Sequence, residues 1–258
     1  MDCKKVYIDF YHSIFEDDGL TTKELVHLNS MDINTDVDIG SVVEQLRLLI
    51  FKQYGDGLYI QAEEYGNLCY LNIIIMFGED YNLLAEYLDS IHRPGEIKFN
   101  KTAIPNQGNF LSIDYFSNQE ETKDLRRLLR NWNIESKVYF IERKAFERGA
   151  GDYHENVILS FLAGSAEAIG NRVTNILMDK FGGYNPRVTN FNTDNVLSYI
   201  SEETGINKQD LHLTKIENIS KNKIAINVAN RYKCIKVLYD KNTKSINYEV
   251  MDKTQTMI

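Results

Sequence analysis

The run Val138-Tyr139-Phe140-Ile141 places the tightest limit on how this chain folds. It is continuously apolar and does not alternate, which suits a strand covered on both faces in the middle of a sheet. The next residues read as a charged loop carrying Glu142, Arg143, Lys144, Glu147 and Arg148, closing on Gly149-Ala150-Gly151. Asp152-Tyr153-His154-Glu155 then has the form of a capping box and predicts a long helix over 156–179. Both carboxylates suit the positive end of that helix. Ile158, Leu162, Ile169, Val173, Ile176 and Leu177 fall at helical spacing on one face. Beside them Ser160, Gly164 and Ala168 form a small-residue stripe spaced by four. An interior Gly costs a helix about 1 kcal/mol. Gly164 therefore predicts a compensating close approach, by the chain's own elements or by a partner. The stripe is the expected interaction surface.

The rest of the chain supplies further elements. Residues 6–11 alternate as a half-exposed strand, and 21–28 read as a short helix. Ser41-Val42-Val43-Glu44 is a capping box opening a helix with Val42, Leu46, Leu49 and Ile50 inward. Two strands come next at 58–64 and 67–77, turning at Gly66-Asn67, with Ile73–Phe77 expected to be central. A helix over 81–91 carries Leu84, Leu88 and Ile91 inward and ends before Pro94. Residues 95–109 look like a junction. Strand 111–115, a capped helix from Ser117 through Trp132 and strand 137–142 make a plausible β-α-β unit. Gly182-Gly183 interrupts the chain, a helix spans 193–203, and 224–228, 235–239 and 246–250 alternate as strands, the last two forming a hairpin around Asp240–Lys244. The fold class expected is α+β, with mixed sheets and packed helices in two α/β-type halves, residues 1–105 and 106–258.

With 258 residues, the chain is long enough for one large domain or two smaller ones. Its net charge of −8 argues against a general binder of phosphate backbones, so no nucleic-acid partner is expected. Cys3, Cys69 and Cys234 are odd in number and far apart, which suits free thiols in a reducing cytosol better than a disulfide framework. No signal-peptide core is present at the start, and the long helix is not expected to span a membrane, which needs about 20 apolar residues, because Glu167, Asn171 and Arg172 interrupt it. A cytoplasmic location is expected.

Motif spacing bears on several chemistries. The run Asp32–Asp38 meets the first positions of a calcium loop, but Val37 replaces the required Gly and Val43 the required Glu. Gly149-Ala150-Gly151 lacks a third Gly, since His154 stands in its place, and Asp152 and Glu155 would repel a phosphate. No histidine has a zinc-type neighbour. No metal and no cofactor is expected. If the chain is an enzyme, a hydrolase or nuclease, its centre is the 142–155 cluster: His154 with Glu142, Glu147, Asp152 and Arg148. Otherwise no residue is catalytic. A small-ligand sensor is a third class.

Residues 110–181 have a recognisable order. A short strand leads into Glu120–Trp132, then come Lys137–Glu142, Gly149-Ala150-Gly151 and Leu162-Ala163-Gly164-Ser165-Ala166. This resembles the effector-associated constant component domains of bacterial conflict systems, small non-enzymatic domains found beside antiviral effectors. The helix at 193–203 and the N-terminal half depart from that pattern. The resemblance implies an adaptor or regulatory role, with a protein partner such as an effector, or a homo-oligomer.

Overall fold

The computed structural model describes residues 3–17, 22–54, 57–76, 81–95, 97, 107–116, 136–147, 152–161 and 189–257. The chain combines helices with two mostly antiparallel sheets and is rich in strand. It divides into two compact units. The first takes Met1–Thr102, Phe116–Gln119 and Ile141–Glu155; the second takes Ala103–Tyr115, Glu120–Phe140 and Asn156–Ile258.

In the first unit, β1 (Lys4–Phe15), β2 (Thr22–Thr35), β3 (Leu58–Tyr65), β4 (Leu68–Ile75) and β6 (Ser136–Glu147, by its second half) lie in the order β2-β1-β4-β3-β6. β1 pairs antiparallel with β2 and parallel with β4, while β3 is antiparallel to both β4 and β6. Side chains alternate across a sheet, so the register divides the residues between two faces. Val6, Ile8, Phe10, Cys69, Leu71, Ile73, Ile75, Ile60, Ala62 and Ala145 lie on one of them. They form a single core with Val42, Val43, Leu46 and Ile50 of α1 (Ile39–Tyr54) and Leu84 and Leu88 of α2 (Asn82–Ser90). Each such side chain fully buried contributes about 1.5–3 kcal/mol, which holds both helices to this face.

Two expectations for this unit need correction. Of the helix expected over 21–28, residues 22–28 are instead part of β2. A bulge explains the misreading. Phe10 pairs with Asn29 and Tyr11 with His27, so the register passes over Leu28. The strand's half-buried residues Leu25, Leu28 and Met31 then recur every three positions, a spacing that imitates a helix. The acidic run 32–38 likewise begins inside β2. The first helix starts at Ile39, ahead of the Ser41 cap expected: Asp38 accepts the Ser41 N–H on its carboxylate at 3.2 Å and the Val42 N–H on its carbonyl at 3.0 Å. The turn at Gly66 is as expected, with φ of 69° favouring glycine, and Ile73–Met76 are buried.

In the second unit, the first half of β6, β7 (Asp152–Phe161, from Asn156 on), β5 (Gln107–Phe116) and β8 (Thr189–Asn192) follow the order β6-β7-β5-β8, so that β7 lies between β5 and β6. Helix α3 (Thr193–Thr204) is capped by Asn192, whose side chain accepts from Asn195 N–H, and ends at Gly205 with φ of 72°. Strands β9 (His212–Asn218), β10 (Lys223–Ala229), β11 (Lys233–Asp240) and β12 (Ile246–Asp252) form an antiparallel meander, closed by the short helix α4 (Lys253–Thr256). Sequence periodicity identified β10 to β12 but not β9. The β11–β12 turn is held by the Asp240 carboxylate, which accepts from Asn242 N–H at 2.9 Å and Thr243 N–H at 3.2 Å. Those backbone donors hold its carboxyl below the usual carboxylate range. Buried Asn156 ties β7 to β9: its Nδ2 donates to the Thr214 carbonyl at 2.7 Å, while Ser112 Oγ donates to its Oδ1 at 3.2 Å.

The long helix expected over 156–179 is overturned where it is described. Residues 152–161 are strand β7, with Val157, Ile158 and Leu159 all buried. A continuous apolar run fits a covered strand as well as a buried helix, and periodicity alone does not separate them. The capping box at 152–155 therefore caps nothing. Residues 162–179 lie outside the described residues, as do Phe77, the helix expected over 117–132 and Gly182-Gly183.

Candidate functional site

The face of the first sheet opposite the helices is polar, and it too is buried. Cross-strand register lines up Ser30, Asp9, Asn72, Gln61 and Lys144 in one row across β2, β1, β4, β3 and β6. The next row holds Tyr7, Tyr70, Glu63 and Glu142. Asp9, Asn72, Gln61, Glu63 and Glu142 are all at most 9% exposed, so this is no solvent face. Burying such groups is costly unless they are hydrogen-bonded.

Gln61 is the hub. Its Nε2 donates to Glu142 Oε1 at 2.6 Å and to Glu63 Oε1 at 3.2 Å. The two glutamates face each other across β3 and β6, and the amide sits between them as a bridge. Tyr65 Oη donates to Glu63 Oε2 at 2.8 Å, and Lys144 Nζ lies 3.2 Å from Glu142 Oε1. Toward β2, Ser30 Oγ donates to Asp9 Oδ1 at 2.5 Å, and His27 Nε2 lies 3.7 Å from the same oxygen. Two buried polar atoms of the row, Gln61 Oε1 and Asn72 Nδ2, have no hydrogen-bond partner among the described residues.

Tyr59 lies beside this cluster. Burial, together with the charges of Glu142 and Glu63, pushes its phenol above the ordinary tyrosine range, and burial does the same to Tyr139 in the second unit. The unfolded chain releases these protons near pH 10, while the folded chain retains them. The stability they contribute is therefore fully present below about pH 10 and is lost as pH rises through the folded-state values. In an alkaline titration followed at once by tyrosinate absorbance and by circular dichroism, the last tyrosines are expected to ionise only as the fold melts. Complete tyrosine ionisation with the native spectrum intact would count against this burial.

A second charged group lies on the helix side of the sheet. Glu64 forms ion pairs with Arg143 and with Lys4, and both Glu64 and Arg143 are nearly inaccessible. Arg143 reaches the start of α1, where a Cβ on Gly40 would stand 3.5 Å from its Nε and 3.0 Å from Asp38 Oδ2.

These positions recast the 142–155 cluster. Residues 142–147 belong to β6 and 152–155 to β7, so the expected charged loop is mostly strand. Adjacent along β6, Glu142 and Arg143 point to opposite faces, one into the Gln61 network and the other to Glu64. His154 is half-buried in β7. Glu147 and Asp152 occupy ends of the two strands, and Arg148 lies outside the described residues. Of the small-residue stripe, Ser160 is in β7, while Gly164 and Ala168 lie outside the described residues. A shared helical face thus loses one of its three members.

Sequence reasoning missed Gln61, Glu63, Glu64, Asn72 and Asp9. A strand over 58–64 and a half-exposed strand over 6–11 leave polar positions that nothing in the sequence marks as buried. The one usable signal was Asn72, an isolated amide inside the apolar stretch Leu68–Met76.

Among the described residues, no three His, Cys, Asp or Glu side chains are grouped to hold a metal ion, and no helix is long and apolar enough to cross a membrane. No disulfide joins Cys3, Cys69 or Cys234. No protein-family model, curated protein or solved structure matches the chain.

Proposed function

We propose that this chain is a non-catalytic protein-interaction or regulatory component of a bacterial conflict or antiviral defence system, acting on a protein partner such as an effector. The defence setting comes from the resemblance carried by residues 110–181. The non-catalytic part is supported by one observation: Glu142 and Arg143, both buried, are committed to internal partners on opposite faces of β6. A carboxylate held by an amide and an ammonium, and a guanidinium held by a carboxylate, are positioned for stability more than for turnover.

The test is phage protection in a bacterial host carrying the chain with its neighbouring genes. His154→Ala is expected to protect nearly as well as the wild type. Complete loss of protection with an unchanged melting temperature would overturn the reading in favour of the hydrolase or nuclease alternative.

A further inference from the structure

We infer that β2 is a self-association edge, along which two copies of this chain pair antiparallel about a twofold axis between His27 and Leu28. β2 ends the strand order, and among the described residues its ladder partner is β1 alone. The free side of an edge strand presents main-chain donors and acceptors that another strand can pair with.

One end of this edge is closed. Ile33, Asn34 and Thr35 are buried. The Asn34 N–H donates to His92 Nδ1 at 3.0 Å, its carbonyl accepts Arg93 N–H at 2.7 Å, and its Nδ2 donates to the Gly95 carbonyl at 2.5 Å. The remainder is open, with Lys23, Glu24, Val26, His27, Asn29 and Asp32 all exposed. Of the usual protections of an edge, β2 has no proline and a single lysine, and its register against β1 shifts twice, passing over Leu28 and over Lys23.

Charge and register select a second copy as the occupant. With the axis between His27 and Leu28, Lys23 of one copy stands opposite Asp32 of the other, and the contact recurs at the far end. Opposite charges directly across a strand pair are favourable. Lys5 engages Asp32 from within its own copy through one carboxylate oxygen, and a carboxylate accepts at both. The two Leu28 bulges meet at the axis, so Glu24–His27 of each copy faces Leu28–Met31 of the other, and the second shift, at Lys23, falls at the end of the pairing. Val26, 37% exposed, and Ile14, 39% exposed, lie on the same face of the β1–β2 pair and add apolar area beside the junction.

The experiment is sedimentation of the full chain over a range of concentrations, with circular dichroism melts verifying the fold of each variant. The wild type is expected to dimerise. Lys23→Asp and Asp32→Lys each convert both end contacts to like-charge pairs and should each weaken dimerisation about tenfold. Mixed in equal amounts, the two variants should recover wild-type affinity, because both end contacts then join opposite charges. A wild-type chain that stays monomeric, a dimer indifferent to both reversals, or a mixture that fails to recover would each overturn the inference. None of these outcomes bears on the defence role, which has its own test.

Discussion

Arg143→Met is expected to cost about 3 kcal/mol of folding stability, the lower end of what breaking a buried ion pair costs. Met fills much of the volume of the Arg stem, so the loss is mainly electrostatic. Glu64, at 5% exposure, would keep Lys4 but lose the guanidinium that shares its burial. Removing the remaining charge should reverse much of the damage. The double variant Glu64→Leu with Arg143→Met is expected to recover most of the loss, since apolar replacement of a whole buried pair is often neutral. Urea denaturation of both variants reads this directly as a shift in midpoint at constant slope. A single variant within about 0.5 kcal/mol of wild type, the range of an ordinary surface change, would show that the pair does not hold β3, β6 and the start of α1 together.

Gln61→Leu is expected to have an effect of similar size by a different route. The substitution is close in volume but withdraws one amide from two carboxylates at once. Hydrogen bonds to charged acceptors are each worth about 1.5–3 kcal/mol and are not additive, so a loss of about 3 kcal/mol is expected. Glu63 would retain Tyr65 and Glu142 would retain Lys144, but the two carboxylates would face each other with no donor between them. Adding Glu142→Gln to Gln61→Leu should restore about half of the loss, because one of the opposed charges is gone and the new amide is a donor toward Glu63. If Gln61→Leu instead raises the melting temperature, the amide does not hold the two carboxylates in place, and the argument against catalysis at Glu142 weakens with it.

Both variants probe residues whose importance was invisible in the linear chain. Glu63 and Glu64 are neighbours in a strand, and their side chains leave on opposite faces. Which face was solvent, helix-covered or buried with polar groups depended on what packs on each side of β3. Alternation specifies that two faces exist, not what each one meets.

Local information did determine much of the framework. The apolar spacing of Val42, Leu46 and Ile50, the glycine at Gly66 and the hairpin around Asp240–Lys244 each carry their own geometry, so α1, the β3–β4 turn and the β11–β12 pair were legible at once. Tertiary structure decided the rest. The bulge in β2 exists only because β1 pairs beside it, and it turned a strand into a helical-looking period. Asn156–Leu159 became part of a strand because the run is buried within a sheet, where a continuous apolar sequence satisfies its backbone by pairing with neighbours distant in the chain. The carboxylates of Glu63 and Glu142 met because antiparallel register placed residues 79 positions apart directly opposite each other. Period and turn chemistry are properties of a few consecutive residues. Burial, register and the pairing of charges belong to contacts between distant ones, and only the folded chain creates them.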